Sequence, residues 1–189
     1  MPSRLKPETT WGEVALAQLT SRFADYTVLV DRFGADLDRG RVGRHIAGRR
    51  TANRDENALV DLVAVAENFT SARWMALNPS AASSEVLTWE KRRKAWKKHH
   101  SIDFADPAAF PEWAALLGFV EARNALHHGL GFLTERQLTK YRDETMNHLN
   151  DAAVRLLGHR VCVDRTTVES CLRVCEGFVV RLDTTAPQN

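Results

Sequence analysis

A chain of 189 residues, 44% hydrophobic and 26% charged, carries enough apolar material for one domain with a sizeable core and leaves little room for two. Its net charge of +2 excludes a global field as the source of any nucleic-acid affinity, which must come from local patches. The start, Met-Pro-Ser-Arg-Leu-Lys-Pro, lacks the apolar run and cleavage site of a leader, and no stretch approaches about twenty apolar residues, so a soluble, cytoplasmic protein with no membrane partner is expected.

In chain order, the spacing of Val14, Leu16, Leu19, Phe23, Val28 and Val30 predicts a first helix near 9–33, ended by Gly34. From about 34 to 53, Gly34, Gly40, Gly43 and Gly48 alternate with arginines, including Arg41, Arg44 and Arg49. That composition suits a basic flexible loop, open to two readings: a solvated linker or an RNA contact. A second long helix is expected from about Arg54 to Leu77, opened by Asp55 and Glu56 near its positive dipole end and stopped by Asn78-Pro79.

A third helix from about Ser84 interleaves Lys91, Arg92, Lys94 and Lys98 with Trp89 and Trp96, a face that can grip phosphates or simply remain solvated. The next helix is expected to start near Asp106-Pro107 or at Pro111, because proline suits a first turn, and to stop at Gly129 with a tight reversal after it. Thr134-Glu135-Arg136-Gln137 has capping-box spacing, predicting a helix to about Leu157. A last helix starts at Thr166 or Thr167 and runs to about Leu182, with a loose tail at about 183–189. Only Val161-Cys162-Val163 hints at a strand, so the class is all-α, about five to six helices in a single domain spanning 1–189.

The chemistry concentrates at the end of the helix that stops at Gly129. Trp113, Leu116, Leu117, Phe119 and Val120 repeat at helical spacing, and at about 100° per residue they define an inward arc. Arg123, Asn124 and His127 fall inside that arc and His128 falls at its edge. An arginine removed from water without a partner is costly, so this one has either an interior acid, such as Glu121 or Asp143, or a cleft visited by an anion.

The stretch Glu-Ala-Arg-Asn-Ala-Leu-His-His-Gly-Leu-Gly-Phe at 121–132 resembles the signature of the HEPN superfamily, in which an arginine followed directly by asparagine, aspartate or histidine is separated from a later histidine by four to six intervening residues, four of them here between Arg123 and His128. Arg123, Asn124 and His128 fit that pattern. Glu121, the glycine after the histidine and the Gly-Phe-Leu-Thr that follows are similar to its surroundings, and the resemblance covers roughly 53–157.

The resemblance implies a HEPN-like helical bundle that acts as a metal-independent endoribonuclease on single-stranded RNA. The 2′-hydroxyl would attack the adjacent phosphodiester to leave a 2′,3′-cyclic phosphate. His128 would move protons, Arg123 would hold the phosphate and stabilise charge on it, and Asn124 would orient either. A homodimer, and a role as a toxin held by a cognate antitoxin or as an antiviral-defence effector, belong to the same implication. Helix geometry by itself stacks His127, not His128, under Arg123, so His127 stays open as a supporting group beside Glu121. Two other readings stay open: a catalytically silent HEPN-like module that binds RNA, nucleotide or protein, and a helical adaptor in which Arg123 is a structural ion pair.

No cofactor or metal is called for. Phosphate-cradling, nucleophile-elbow and dinucleotide motifs are absent. His159, Cys162, Cys171 and Cys175 lack the close Cys-x-x-Cys pair common in structural zinc sites. Cys171 and Cys175 instead share a helical face with Val168 and Phe178 as core residues would, and three cysteines without a leader read as reduced thiols.

Overall fold

The computed structural model describes residues 9–38 and 44–187, the side chains at 33, 34, 36–38 and 44–52 excepted. Among the described residues the fold is all-α, with one short two-stranded hairpin, and none of its helices is long and apolar enough to cross a membrane. Three long helices, α1 (Thr10–Asp38), α2 (Arg44–Leu77) and α7 (Arg165–Thr185), pack on one another, and α4 (Trp113–His128) lies against α2 and α7 on one side and α6 (Arg142–Asp151) on the other. Leu19, Leu59, Trp74, Leu116, Phe119, Phe178 and Leu182 are fully buried in one continuous core.

Both helices flanking the expected loop run further than their glycines suggested. α1 continues to Asp38 through Gly34, and α2 begins at Arg44, so Gly48 and residues 44–53 are helical. A lone glycine costs a helix only about 1 kcal/mol relative to alanine, which packing elsewhere along the same helix offsets. Of the proposed loop, residues 39–43, with Arg41, lie outside the described residues, as do the side chains of Arg44 and Arg49. On α1, Ala15, Leu19 and Tyr26 face the core while Val14 and Val28, expected on that side, are about half exposed.

Asn78 stops α2 as its composition predicted, its Nδ2 donating to the Trp74 carbonyl. A 3₁₀ turn (Ser83–Val86) follows, and α3 (Trp89–His100) starts five residues later than expected because Thr88, not Ser84, caps it by accepting from the Lys91 amide. α4 starts at Trp113, later than either proline allowed. Asp106 instead organises two turns, accepting from the Ala108 amide on its side chain and from the Phe110 amide on its carbonyl. Phe104 and Phe110 from this segment pack against Trp113 and Phe178 with ring centroids 5.2–6.1 Å apart, which pins the start of α4 to α7.

The capping box at Thr134 is formed, with the Gln137 side chain accepting from the Thr134 amide, but the helix it opens is only α5 (Glu135–Leu138). The expected run to Leu157 is broken. α6 takes over at Arg142, and β1 (Arg155–Leu157) then pairs antiparallel with β2 (Arg160–Cys162) around Gly158, whose φ of 63° suits the first position of a two-residue hairpin loop.

The strand suspected at Val161 is therefore half of a hairpin, and the Gly-His between two short apolar runs was its signal. Asp164, two residues before the expected start, caps α7 by accepting from the Thr167 amide at 2.9 Å. Of the segment expected to be loose, residues 183–187 are tied down and 188–189 lie outside the described residues: α7 runs to Thr185, Thr9 donates its amide (2.8 Å) and its hydroxyl to the buried Asp183 carboxylate, and Arg73 donates to the Pro187 carbonyl.

Candidate functional site

The stripe Trp113, Leu117, Val120, Asn124 and His128 repeats every three to four residues along α4 and forms the floor of an open cavity of about 1130 Å³. One wall is the start of α3, with Thr88, Trp89, Glu90 and Arg93. The other comes from α5 and α6, with Arg136, Gln137, Tyr141, Thr145 and His148. The floor is apolar toward Trp113 and polar toward His128.

Arg123, Asn124 and His128, the three catalytic candidates, all line this cavity. Arg123 donates from Nη1 to Asn124 Oδ1 at 3.2 Å and from Nη2 to Glu67 Oε2 on α2. The acid paired with Arg123 is thus Glu67, and neither Glu121 nor Asp143. Glu121 instead accepts from Gln137 Nε2 at 2.6 Å, which joins α4 to α5, and Asp143 is exposed.

A guanidinium has five N–H donors. Among the described residues two of those on Arg123 are engaged, and with a side chain 23% exposed the remainder can meet an anion in the cavity. His128 is exposed and lines the cavity. His127 is exposed as well, with its ring 5.4 Å from that of His128, and does not line it. The helical wheel placed His127 inward, but in this last turn only Ala125 is buried against neighbouring elements.

Glu67 is the residue the sequence reading missed. It receives a second guanidinium, Arg92, whose Nη1 lies 2.8 Å from Oε1. Arg92 is buried, donates also to Ser71 Oγ and stacks 5.1 Å from the centre of the Trp89 ring, so it faces inward and not toward an RNA-binding surface. Burial pushes its guanidinium below the usual arginine value, Glu67 acts in the opposite direction, and the nearby charge of Arg123 adds to the lowering. A carboxylate inside the apolar run Val63 to Phe69 was the available signal for Glu67.

Lys91, Lys94 and Lys98 line a separate shallow depression of about 360 Å³ with Ser84 and Glu85, away from the α4 floor. Besides Arg123, the arginines that border the cavity are Arg93 and Arg136. Arg136 lies 4.6 Å from the centre of the Tyr141 ring, and hydrogen bonding by Arg136 and Lys140 pulls the Tyr141 phenol below its usual value.

Among the described residues no group of three or more histidine, cysteine, aspartate or glutamate side chains is placed to hold a metal ion. Cys171 and Cys175 are fully buried in α7 with sulfurs 4.0 Å apart, and burial holds the Cys171 thiol well above its usual pKa. No protein-family model matches this chain, no curated protein matches its sequence, and no solved structure matches its fold.

Proposed function

We propose that this protein is a metal-independent endoribonuclease whose cavity takes a single-stranded RNA phosphodiester against the polar end of α4. The observation that carries the reading is the lining of one open cavity by Arg123, Asn124 and His128, with donors on the guanidinium still unspent. His128 takes the proton from the 2′-hydroxyl. The 2′-oxygen then bonds to phosphorus as the bond to the 5′-oxygen breaks, and that oxygen leaves with a proton from solvent or from the His128 of a second copy. Arg123 holds the non-bridging oxygens through its planar fork and offsets the charge that grows on them. Because the RNA supplies its own nucleophile, no activated serine, cysteine or metal-bound water is required.

The partner in this reading is a second copy of the chain. Directly after His128 the chain exposes Leu130 (88%) and Phe132 (51%). Phe132 bridges to Arg160, which pairs with Leu157 (75% exposed), so two exposed apolar residues flank one arginine close after the motif helix, with Leu130 between them and His128 in the chain. Apolar surface concentrated in that way commonly marks an interface.

The pairing of Arg123 with Glu67 favours a second reading, in which the arginine is a structural ion pair within a helical adaptor. Incubating the protein with single-stranded RNA in EDTA separates the two. The enzyme reading expects 2′,3′-cyclic phosphate ends from the wild type and none from His128→Ala. RNA left intact by the wild type, with Arg123→Ala lowering only the melting temperature, would favour the adaptor.

A further inference from the structure

We infer that Glu67 is the positioning residue that sets the Arg123 guanidinium for its phosphate, and that Arg92 is buried in order to hold Glu67 in place. The inference rests on the ribonuclease reading above and adds to it a group 56 residues away on another helix.

Three observations converge on Glu67. Its neighbours Val63 and Ala66 are fully buried and its own side chain is only 16% exposed, so its charge needs compensation close at hand. Two guanidiniums provide it, Arg92 on Oε1 and Arg123 on Oε2. Two positive charges against one negative leave the trio with one net positive charge. Had Glu67 met Arg123 alone, an incoming phosphate would face a neutral pair containing a fixed carboxylate.

The two arginines are not equivalent. The Arg92 side chain is 6% exposed and committed to Glu67, to Ser71 Oγ at 2.9 Å and to the face of Trp89. Ser71 lies one turn beyond Glu67 and donates its hydroxyl to the Glu67 carbonyl, so α2 presents both acceptors of Arg92 from one face. Arg92 therefore acts as the fixed inner clamp. Arg123, 23% exposed and on the cavity wall, is the outer member, and the excess positive charge is accessible only there. With Nη2 held by Glu67 and Nη1 by Asn124, the plane of its fork is set before any RNA arrives. Donors fixed in advance stabilise charge that develops during a reaction better than donors that must reorganise.

The test measures single-turnover cleavage and, separately, binding of an oligonucleotide that carries 2′-deoxyribose at the scissile position. Glu67→Gln keeps the shape and removes the charge. It is expected to cleave at least about tenfold more slowly while binding the uncleavable strand as well as the wild type or more tightly, since a negative charge beside the phosphate has gone. Loss of a merely structural contact would lower rate and binding together, in proportion to the folded fraction.

Because Glu67→Gln leaves Arg92 buried without its counter-charge, Glu67→Gln/Arg92→Met is measured beside it, and the same slow cleavage with intact binding is expected. Wild-type rates in either folded variant overturn the inference and leave the ribonuclease reading standing. RNA untouched by the wild type overturns both.

Discussion

Gly118 of α4 sits so close to the His148 carbonyl of α6 that a Cβ built on it would lie 2.0 Å from that oxygen and 2.5 Å from the Ala152 Cβ. The contact lets α4 and α6 approach backbone to backbone, which holds the floor of the cavity against one of its walls. Gly118→Ala should therefore destabilise the protein. The clash is with main-chain atoms that cannot swing away, and overpacking of this kind costs about 3 kcal/mol. The roughly 1 kcal/mol that alanine gains over glycine within a helix offsets only part of it. Urea unfolding of the two proteins checks the net loss.

The cap on α7 gives a prediction with a pH dependence. Asp164 accepts from the Thr167 amide and hydroxyl and pairs with Arg155, and these contacts, the amide first, lower its carboxyl below the usual 3.8. A carboxyl whose folded pKa is depressed contributes stability that is present above its unfolded value and lost as pH falls through the folded one. Asp164→Ala should cost about 1 kcal/mol at pH 7. In denaturant titrations the difference from wild type should shrink toward pH 2. An unchanged difference there would mean that the cap acts through shape and not charge.

Asp55 should behave in the opposite sense. It is 5% exposed and accepts from the Tyr26 hydroxyl at 2.7 Å, and its carboxyl lies above the usual 3.8 because burial disfavours the charged form, against the smaller opposing effect of the Tyr26 hydrogen bond. The folded state therefore holds this proton more tightly than the unfolded chain does. Its contribution is fully present below about pH 3.8 and lost as pH rises through the folded value. Asp55→Asn cannot titrate but keeps an acceptor for Tyr26. Its stability relative to wild type should improve from pH 4 to pH 7 in unfolding measurements, and a constant difference across that range would refute the account.

Thiol accessibility reports on the core directly. Cys171 and Cys175 are fully buried, whereas Cys162 is partly exposed on β2. A thiolate must be both formed and reachable to react. Ellman's reagent should label one thiol per folded chain at pH 8 within minutes and three only in denaturant. Rapid labelling of three in the folded protein would mean that α7 is not packed as described.

What could be read from the sequence and what could not divides by the distance over which the interactions act. The Asn78-Pro79 stop, the Thr134 capping box and the apolar stripe of α4 depend on residues a few positions apart, and each was predictable. Gly34 and Gly48 misled because a glycine's local cost was weighed without the packing that outweighs it. The break between α5 and α6 carries no glycine or proline to announce it. Within the site, Arg123, Asn124 and His128 are close in the chain and are grouped by the resemblance their motif carries, whereas helical spacing alone favoured His127. Glu67 and Arg92 meet Arg123 only because α2, α3 and α4 converge, and no periodicity within one helix encodes that. The aromatic and basic rim at Arg136 and Tyr141 was hidden by the same dependence on tertiary packing.

The two principal site residues should fail differently when removed. His128 is exposed, at the end of its helix, and among the described residues no hydrogen bond holds its ring, so His128→Ala should leave the melting temperature within about 2 °C of wild type, as for most surface changes. RNA cleavage should nevertheless fall by at least about 100-fold, the usual worth of general acid–base catalysis. Arg123→Ala removes one of the two partners of a largely buried carboxylate, so it should lower both activity and stability, the latter by about 1–3 kcal/mol given that Arg92 still pairs with Glu67. His127→Ala is the internal control, since its ring is exposed off the cavity and its loss should leave cleavage within about threefold of wild type if His128 is the proton-transfer group. Calorimetry beside cyclic-phosphate detection measures both axes. Should His127→Ala abolish cleavage while His128→Ala spares it, the roles of the two imidazoles would be exchanged and the cavity wall would no longer mark the reacting group.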